Sequence, residues 1–184
     1  MRHLPNLICV IRLLLIWPIA VALHKGQYAA ALLLFILAAV SDGLDGYLAK
    51  RFGWTSEVGK ILDPAADKLL LMTVFIQAAW LALVPWWLTA AVVARDVMIG
   101  LGAVIFRLWF GPLRGRPTRV SKVNTAAQLL YVCLVLLNAA TGGVPPREVL
   151  DACALITLAT TVLSGMHYLL TFTRRAWHAP ASSA

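Results

Sequence analysis

Apolar residues fall into six stretches along the chain, each close to the ~20 residues that an α-helix needs to cross the hydrocarbon core of a bilayer. Turn-forming residues such as Gly26, Pro85 and Gly142 separate the stretches. The pattern predicts an all-α, polytopic membrane protein with six transmembrane helices in one bundle and a single domain over residues 1–184. The predicted spans are Leu4–Leu23, Tyr28–Leu48, Lys60–Ala82, Trp86–Arg107, Val120–Ala140 and Val149–Phe172.

The composition also favours lipid as the solvent. Hydrophobic residues make up 61% of the 184 residues and charged residues 13%, whereas about a quarter of a soluble domain is charged. Basic loops that face anionic lipid head groups explain the net charge of +8. No soluble basic segment interleaved with aromatic residues is apparent, so we expect the lipid bilayer, and no nucleic acid, as a partner.

Basic residues predict the orientation. With a cytoplasmic N-terminus, twelve Lys and Arg residues fall on the cytoplasmic side, and two, Lys25 and Arg147, fall on the opposite side. This bias supports an even number of spans with both termini cytoplasmic. Arg2, the apolar run that follows and Ala20-Val21-Ala22 also resemble a secretory signal peptide. Its cleavage would leave an odd number of spans, so we expect the first span to be retained.

Four of the eight acidic residues lie within 26 positions, at the predicted cytoplasmic end of the second and third spans: Asp42, Asp45, Asp63 and Asp67. Carboxylates at this depth are costly and usually face a partner or a wet cavity. Four of them repel one another as well. A bound divalent cation offsets both costs.

The spacing places each pair of aspartates on one helical face with small residues, within an arc of about 100° for the first set and about 80° for the second. The first set is Asp42, Asp45, Gly46 and Ala49, and the second is Gly59, Asp63 and Asp67. Two adjacent helices can therefore direct four carboxylates into one cleft. Oxygen ligands without His or Cys favour Mg²⁺ or Mn²⁺ over zinc.

A purely structural role for the aspartates is the competing interpretation. Asp42 can cap a turn, and Asp63-Pro64 can begin a helix. A carboxylate inside the membrane can also pair with a nearby cation, for which Lys50, Arg51, Lys60 and Lys68 are available. This explanation suits a single aspartate better than four in register with three small residues.

These residues resemble the signature of the CDP-alcohol phosphatidyltransferases, D-x2-D-G-x2-A-R-x8-G-x3-D-x3-D. The chain matches it from Asp42 to Asp67, with Gly59 following the eight-residue gap. The one departure is Lys50, which replaces the family arginine and keeps its charge without the bidentate fork. The six-span layout with cytoplasmic termini is also similar to the family, so the resemblance covers nearly the whole chain.

The resemblance implies a metal-dependent reaction. Asp42, Asp45 and Asp63 would hold two Mg²⁺ or Mn²⁺ ions, with Asp67 sharing one, and the ions would grip the diphosphate of CDP-diacylglycerol. Asp67 would be the catalytic base that takes the proton from the acceptor hydroxyl, whose oxygen attacks the β-phosphorus as CMP leaves.

The resemblance also implies a nucleotide site and an assembly. Gly46, Ala49 and Gly59 would leave room for the cytidine, and Lys50 would lie near a phosphate. A homodimer is expected, in a bacterial inner (plasma) membrane with the active site facing the cytoplasm.

Basic residues on the side of the aspartates are candidates for binding an anionic, glycerol-containing acceptor. Arg114, Arg116, Arg119 and Lys122 lie before and at the start of span five, and Arg12 lies near the inner end of span one. They are either ordinary positive-inside charge or a phosphate clamp.

Other segments bear on which acceptor is used. Ala94–Met98 and Ser121–Gln128 resemble segments of the eukaryotic-type, CMP-forming cardiolipin synthases, and the opening Leu4–Leu7 with Arg12 is shared with the phosphatidylglycerophosphate synthases. We therefore expect transfer to phosphatidylglycerol, giving cardiolipin, with glycerol 3-phosphate as the alternative acceptor.

Polar residues within the predicted spans have open interpretations. Arg95-Asp96 is either a buried structural pair or part of a cavity lining. Asn124, Thr125 and Gln128 contact either neighbouring helices or the acceptor. His167, next to Tyr168, is interpreted as structural because nothing in the sequence pairs with it.

Two other functional classes were compared with the transferase. An intramembrane prenyltransferase also holds metal and diphosphate with aspartates, but the intervening glycines are not its pattern. A cation transporter would use the carboxylates as a transport site. Their clustering at one face of the membrane, instead of along a path across it, argues against transport.

Overall fold

The computed structural model describes residues 4–52, 59–110 and 119–178, with side chains over residues 10–41, 68–102, 104 and 120–171. The described residues form six helices and no strand, which confirms the predicted all-α fold. The helices are α1 (Leu4–His24), α2 (Tyr28–Phe52), α3 (Gly59–Trp80), α4 (Trp86–Phe110), α5 (Arg119–Thr141) and α6 (Arg147–His178).

The turn between α1 and α2 begins at a glycine in the left-handed conformation. Gly26 has a φ of 69°, and the amide of Gln27 donates to the carbonyl oxygen of Ala22 at 2.8 Å. This arrangement satisfies carbonyl groups at the end of α1, and glycine adopts the required φ without a Cβ clash. The chain can therefore reverse direction within a few residues and begin α2 at Tyr28.

The helices pack in two groups of three. In one group α1 contacts both α2 and α3, and in the other α6 contacts both α4 and α5. Contacts of α2 with α5, and of α3 with α4 and α5, join the two groups. Phe35, Phe75 and Leu88, all 0% exposed, are among the core side chains. The core therefore draws on α2, α3 and α4 at once.

Polar side chains are buried between the helices while large apolar side chains face outward. Arg12, Asp96 and Asn124 are buried, whereas Trp17 and Leu155 are 76% and 62% exposed. Apolar surface spread over the outer faces of several helices is not stable in water. This distribution, together with the apolar helices, indicates a membrane protein.

Two helical stretches among the described residues are long and apolar enough to cross a membrane. They are Val120–Thr141 in α5 and Arg147–Thr171 in α6. Three shorter apolar stretches lie in α1, α2 and α3: Val10–His24, Tyr28–Ser41 and Lys68–Trp80. Each of the three stops at one end where the described side chains stop, so their full length is not tested.

Candidate active site

Two helices carry the four aspartates. Asp42 and Asp45 lie in the second half of α2, and Asp63 and Asp67 lie in the first three turns of α3. α2 ends at Phe52 and α3 begins seven residues later at Gly59, and both helices pack on α1. The four aspartates are thus carried on helix ends that are joined by a short connection.

The side chains of the aspartates lie outside the described residues, as do those of Gly46, Ala49, Lys50 and Gly59, which are placed on α2 or α3 by backbone alone. Arg119 is the first residue of α5, and its side chain is also outside the described part. Arg114 and Arg116 lie outside it altogether. The predicted contacts of all these residues remain predictions.

Arg12 is buried directly beside the helical segments that carry the aspartates. Its side chain is 1% exposed and lines a cavity of about 50 Å³ together with Ala38, Leu71 and Thr125. Ala38 precedes Asp42 by one helical turn, and Leu71 follows Asp67 by one turn. Arg12 therefore lies about one turn deeper in the bundle than the aspartate positions of both α2 and α3.

A buried guanidinium at this place has an electrostatic consequence. An arginine is always charged in a protein, and burying its charge is costly unless opposite charge or hydrogen-bond acceptors lie nearby. Lys122 is different, because it is exposed on the first turn of α5. Of the two proposed phosphate-binding residues with described side chains, Arg12 is the one whose charge lies within the bundle.

A network of charged and hydroxyl side chains begins next to Asp67. Lys68 Nζ lies 2.8 Å from Asp96 Oδ1, which joins α3 to α4. Arg95 Nη1 donates to the same oxygen at 2.5 Å, and the side chains of Arg95 and Asp96 are 5% and 3% exposed. Lys68, which had been considered as a structural partner for the aspartate cluster, is therefore engaged with a carboxylate on another helix.

Arg95 extends this network to the other half of the bundle. Its Nη2 donates to Ser121 Oγ of α5 at 2.9 Å and to Ser164 Oγ of α6. Its Cζ lies 5.9 Å from the centre of the Tyr168 ring, within the range of a cation–π contact. Arg95 and Asp96 thus form a buried ion pair, as one of the two interpretations predicted, and the network around them links four helices next to Asp67.

Ser164 and Tyr168 are parts of this network that sequence reasoning missed. They lie four residues apart on α6 and so share a face. Their spacing was the available sequence signal, because a hydroxyl and an aromatic residue on one helical face can both contact a buried arginine such as Arg95. His167, in contrast, is exposed.

The polar residues of α5 differ in their contacts. Asn124 is 0% exposed, and its Oδ1 accepts hydrogen bonds from Thr160 Oγ1 at 3.0 Å and Thr161 Oγ1 at 2.9 Å. This residue therefore joins α5 to α6, as an interhelical contact would. Gln128 is 1% exposed, and its Nε2 has no hydrogen-bond partner among the described residues. Thr125 Oγ1 donates to the carbonyl oxygen of Ser121 within α5 at 3.1 Å.

The donor set of the candidate site fits a hard divalent cation. Four carboxylates at the ends of two helices supply oxygen ligands, which Mg²⁺ and Mn²⁺ prefer. Among the described side chains, no three His, Cys, Asp or Glu residues group closely enough to hold a metal ion. The aspartates lie outside that part of the chain, so the predicted metal site stays a prediction based on their residue types and helix positions.

Apolar outer faces and buried polar contacts between helices are typical of a membrane protein. The sequence matches the CDP-alcohol phosphatidyltransferase family over residues 2–172. Because the match covers nearly the whole chain, the chain belongs to this family. The resemblance drawn from the aspartate motif is confirmed.

Individual relatives carry two kinds of name. The chain is 31% identical to a Drosophila melanogaster protein named "Probable cardiolipin synthase (CMP-forming)", covering 91% of this chain and 56% of the relative. It is 32% identical to a Streptomyces coelicolor protein named "Cardiolipin synthase (CMP-forming)", covering 86% of this chain and 76% of the relative. A Pseudomonas fluorescens protein named "CDP-diacylglycerol--glycerol-3-phosphate 3-phosphatidyltransferase" is 34% identical, covering 74% and 73%. The chain thus spans little more than half the length of the Drosophila relative.

Proposed function

We propose that this protein transfers a phosphatidyl group from CDP-diacylglycerol to the hydroxyl of an alcohol acceptor and releases CMP. The observation that carries the proposal is the complete set of four motif aspartates on the consecutive helices α2 and α3, in a chain that belongs to the family over residues 2–172. The burial of Arg12 one turn from Asp42 and Asp67 supports it, because a substrate diphosphate needs positive charge nearby.

The residues divide the work as follows. Asp42, Asp45 and Asp63 would hold two divalent ions, and Asp67 would share one of them. When bound, Mg²⁺ or Mn²⁺ neutralises charge on the diphosphate and on the departing CMP. Asp67 accepts the proton of the acceptor hydroxyl, whose oxygen forms the new bond to the β-phosphorus as the bond to CMP breaks.

The small and basic residues bind the rest of the donor. Gly46, Ala49 and Gly59 have little or no side chain, and this leaves space for the cytidine beside α2 and α3. Lys50 supplies a positive charge at the position of the family arginine, without its planar fork. Arg12 contributes positive charge from within the bundle, about one helical turn from Asp42 and Asp67.

The acceptor is phosphatidylglycerol, and the product is cardiolipin. The names of the Drosophila and Streptomyces relatives support this choice, as do the segments Ala94–Met98 and Ser121–Gln128. Arg114, Arg116, Arg119 and Lys122 bind the acceptor phosphate. The Pseudomonas relative, at 34% identity, favours glycerol 3-phosphate as the second candidate, whereas the cation-transporter alternative gains no support from the family match.

The bundle crosses the membrane six times with both termini in the cytoplasm. The twelve basic residues on one side support this arrangement, and it places the aspartates at the cytoplasmic surface of a bacterial inner membrane. The protein acts as a homodimer, as expected from its family.

A panel of acceptors tests the proposal directly. Purified protein receives CDP-diacylglycerol with a labelled acyl chain, Mg²⁺ or Mn²⁺, and phosphatidylglycerol, glycerol 3-phosphate or inositol, and the lipid products are identified by mass spectrometry. We expect cardiolipin together with an equal amount of CMP. Phosphatidylglycerophosphate as the main product would select the second candidate, and no CMP release with any acceptor would contradict the transferase.

A further inference from the structure

A second cavity lies at the end of the bundle opposite the aspartates. Its volume is about 460 Å³, and it is enclosed by the α3–α4 turn, the last turns of α5 and the first turns of α6. Twelve residues of α3 separate Asp67 from Ala79 in its wall, which corresponds to about 18 Å along the helix axis. We call it the opposite-end pocket. Its size is within the range of about 300–1,000 Å³ that small-molecule sites occupy.

A cation and an anion stand side by side in the opposite-end pocket. Arg147 and Asp151 both line it, and they lie four residues apart on α6. At this spacing their Cβ atoms are about 5–6 Å apart. Within the described residues, neither side chain takes part in an ion pair. Each charge is therefore available to a ligand.

The wall of the pocket also contains the side chain of Tyr131. Tyr131 is 2% exposed and lines the pocket, and its ring lies against Phe75 with the ring centres 6.2 Å apart. Its hydroxyl forms no hydrogen bond with another described residue. Asn138 lies nearby with its Nδ2 donating to the Pro145 carbonyl oxygen at 2.6 Å. This arrangement leaves the Oδ1 of Asn138 as an acceptor.

Aromatic residues place the pocket at the level of lipid head groups. Trp86 lines it and is 55% exposed, and its ring lies edge-on to that of Trp80, with the ring centres 6.1 Å apart. Tryptophan is enriched at the boundary between hydrocarbon and water. The pocket therefore opens where the head groups of one leaflet lie.

We infer that the opposite-end pocket binds the zwitterionic head group of a phospholipid in the leaflet at that end of the bundle. The guanidinium of Arg147 donates two hydrogen bonds to the phosphate, a geometry that suits the arginine fork. The ammonium group of the lipid donates to Asp151, and the Tyr131 hydroxyl donates to an ester or phosphate oxygen.

The pairing of charges is what selects this class of ligand. An anionic head group without an amine would meet Arg147 but would be repelled by Asp151, and a simple cation would have the reverse difficulty. A head group with both charges satisfies both side chains at once. The inference concerns binding and does not depend on the transferase reaction.

Binding of lipids to the full-length protein in detergent tests the inference. Native mass spectrometry measures the affinity for phosphatidylethanolamine and for phosphatidic acid with the same acyl chains. We expect Arg147→Gln and Asp151→Asn each to weaken phosphatidylethanolamine binding roughly tenfold, the usual size of one charge-assisted hydrogen bond. For phosphatidic acid, we expect Arg147→Gln to weaken binding and Asp151→Asn to leave it unchanged or strengthen it.

Matched control variants distinguish a specific loss of lipid binding from a loss of folding or of surface charge in general. Lys25→Gln and Glu148→Gln change the same types of charge at exposed positions that do not line the pocket, so we expect wild-type binding from both. Tyr131→Phe removes one hydroxyl with little change of shape and should weaken binding a few-fold. Helical circular dichroism and elution volume check that each variant is folded.

Two results would overturn the inference. One is phosphatidylethanolamine binding that is equal in the wild type, Arg147→Gln and Asp151→Asn. The other is soluble phosphoethanolamine binding as tightly as the lipid with the same dependence on Arg147, which would assign the pocket to a water-borne ligand.

Discussion

Asp67 has two roles in the proposed reaction, since it shares a cation and accepts a proton. It lies in the third turn of α3, directly before Lys68, whose side chain forms an ion pair with Asp96 of α4. This ion pair joins the residue that follows Asp67 to α4. The proposed proton transfer requires Asp67 to lie within hydrogen-bond reach of the acceptor hydroxyl.

We expect Asp67→Asn to reduce CMP release from CDP-diacylglycerol by about 10²–10⁴-fold, because the amide has nearly the same shape and cannot accept the proton. A continuous assay of CMP release measures the effect. Glu148→Gln, an exposed acid near the start of α6 at the other end of the bundle, is the matched control and should keep full activity. Wild-type turnover by Asp67→Asn would remove Asp67 from the mechanism.

Ala82 is a residue whose backbone is strained. Its φ is 56°, and the amide of Leu83 donates to the carbonyl oxygen of Ala78 at 2.8 Å, in the pattern that usually has glycine at this position. The left-handed conformation costs a residue with a Cβ roughly 1–2 kcal/mol.

Ala82→Gly should therefore raise the free energy of unfolding by about 1 kcal/mol, since glycine adopts this φ without the Cβ clash. Thermal or denaturant unfolding in detergent measures the change. Ala126→Gly is the contrasting variant, because this exposed residue lies in the middle of α5 and the same substitution there should destabilise by about 0.5–1 kcal/mol. A loss of stability in Ala82→Gly would show that the turn does not hold this conformation in solution.

Among the elements, α4 contributes the two charges that hold the two halves of the bundle together. Asp96 receives both Lys68 of α3 and Arg95 of its own helix, and Arg95 continues to α5 and α6. Removing one partner from a buried ionic network leaves a charge without compensation, which costs more than the intact pair contributes. Substitution of Asp96 should therefore cost the most stability, because its carboxylate is the partner of both cations.

Asp96→Asn should destabilise the protein by about 3–5 kcal/mol, because Arg95 and Lys68 lose their common acceptor. Lys68→Met should cost much less, since Lys68 is 36% exposed and Arg95 keeps its carboxylate. Unfolding of Asp96→Asn, Arg95→Met and the double variant forms a mutant cycle, in which the double variant should regain part of the stability lost in Asp96→Asn. Equal losses in Asp96→Asn and Lys68→Met would contradict the shared role of Asp96.

Hydropathy predicted the helices well but not where they end in polar sequence. The predicted starts of α1, α2 and α4 coincide with the observed Leu4, Tyr28 and Trp86. α2 was predicted to stop at Leu48 and continues to Phe52, and α6 was predicted from Val149 to Phe172 and extends over Arg147–His178. Apolar runs mark the edge of the hydrocarbon, whereas a helix continues beyond it as long as its backbone bonds are satisfied.

Contacts between helices were much less predictable. The sequence marked Arg95-Asp96 as a buried pair or a cavity lining, but it did not reveal that Lys68 is the second cation or that Tyr168 covers the guanidinium. These pairings depend on the rotation of each helix about its axis and on which helices are neighbours. The spacing of Asp42, Asp45, Asp63 and Asp67 was more informative because it lies within single helices, where the geometry is fixed.

For the whole molecule, the two ends of the bundle have opposite chemical character. The aspartate end carries the family motif and most of the basic residues, and the other end carries Trp86, Arg147 and Asp151 around the opposite-end pocket. If the bundle crosses the membrane as proposed, the two sites meet different leaflets. The orientation of the protein thus determines which leaflet supplies the lipids that can reach each site.

Labelling of single cysteines tests this orientation. In a variant whose Cys9, Cys133 and Cys153 are replaced by alanine, one cysteine is introduced at Gln27, at Glu148 or near the C-terminus at Ser183. Gln27 and Glu148 are exposed at the opposite end from the aspartates, so we expect both to react with a membrane-impermeant maleimide added to intact spheroplasts. Ser183→Cys should react after the membrane is permeabilised and not before. Labelling of Ser183→Cys in intact spheroplasts would place the C-terminus outside. That result would contradict the orientation predicted from the bias of twelve basic residues to two.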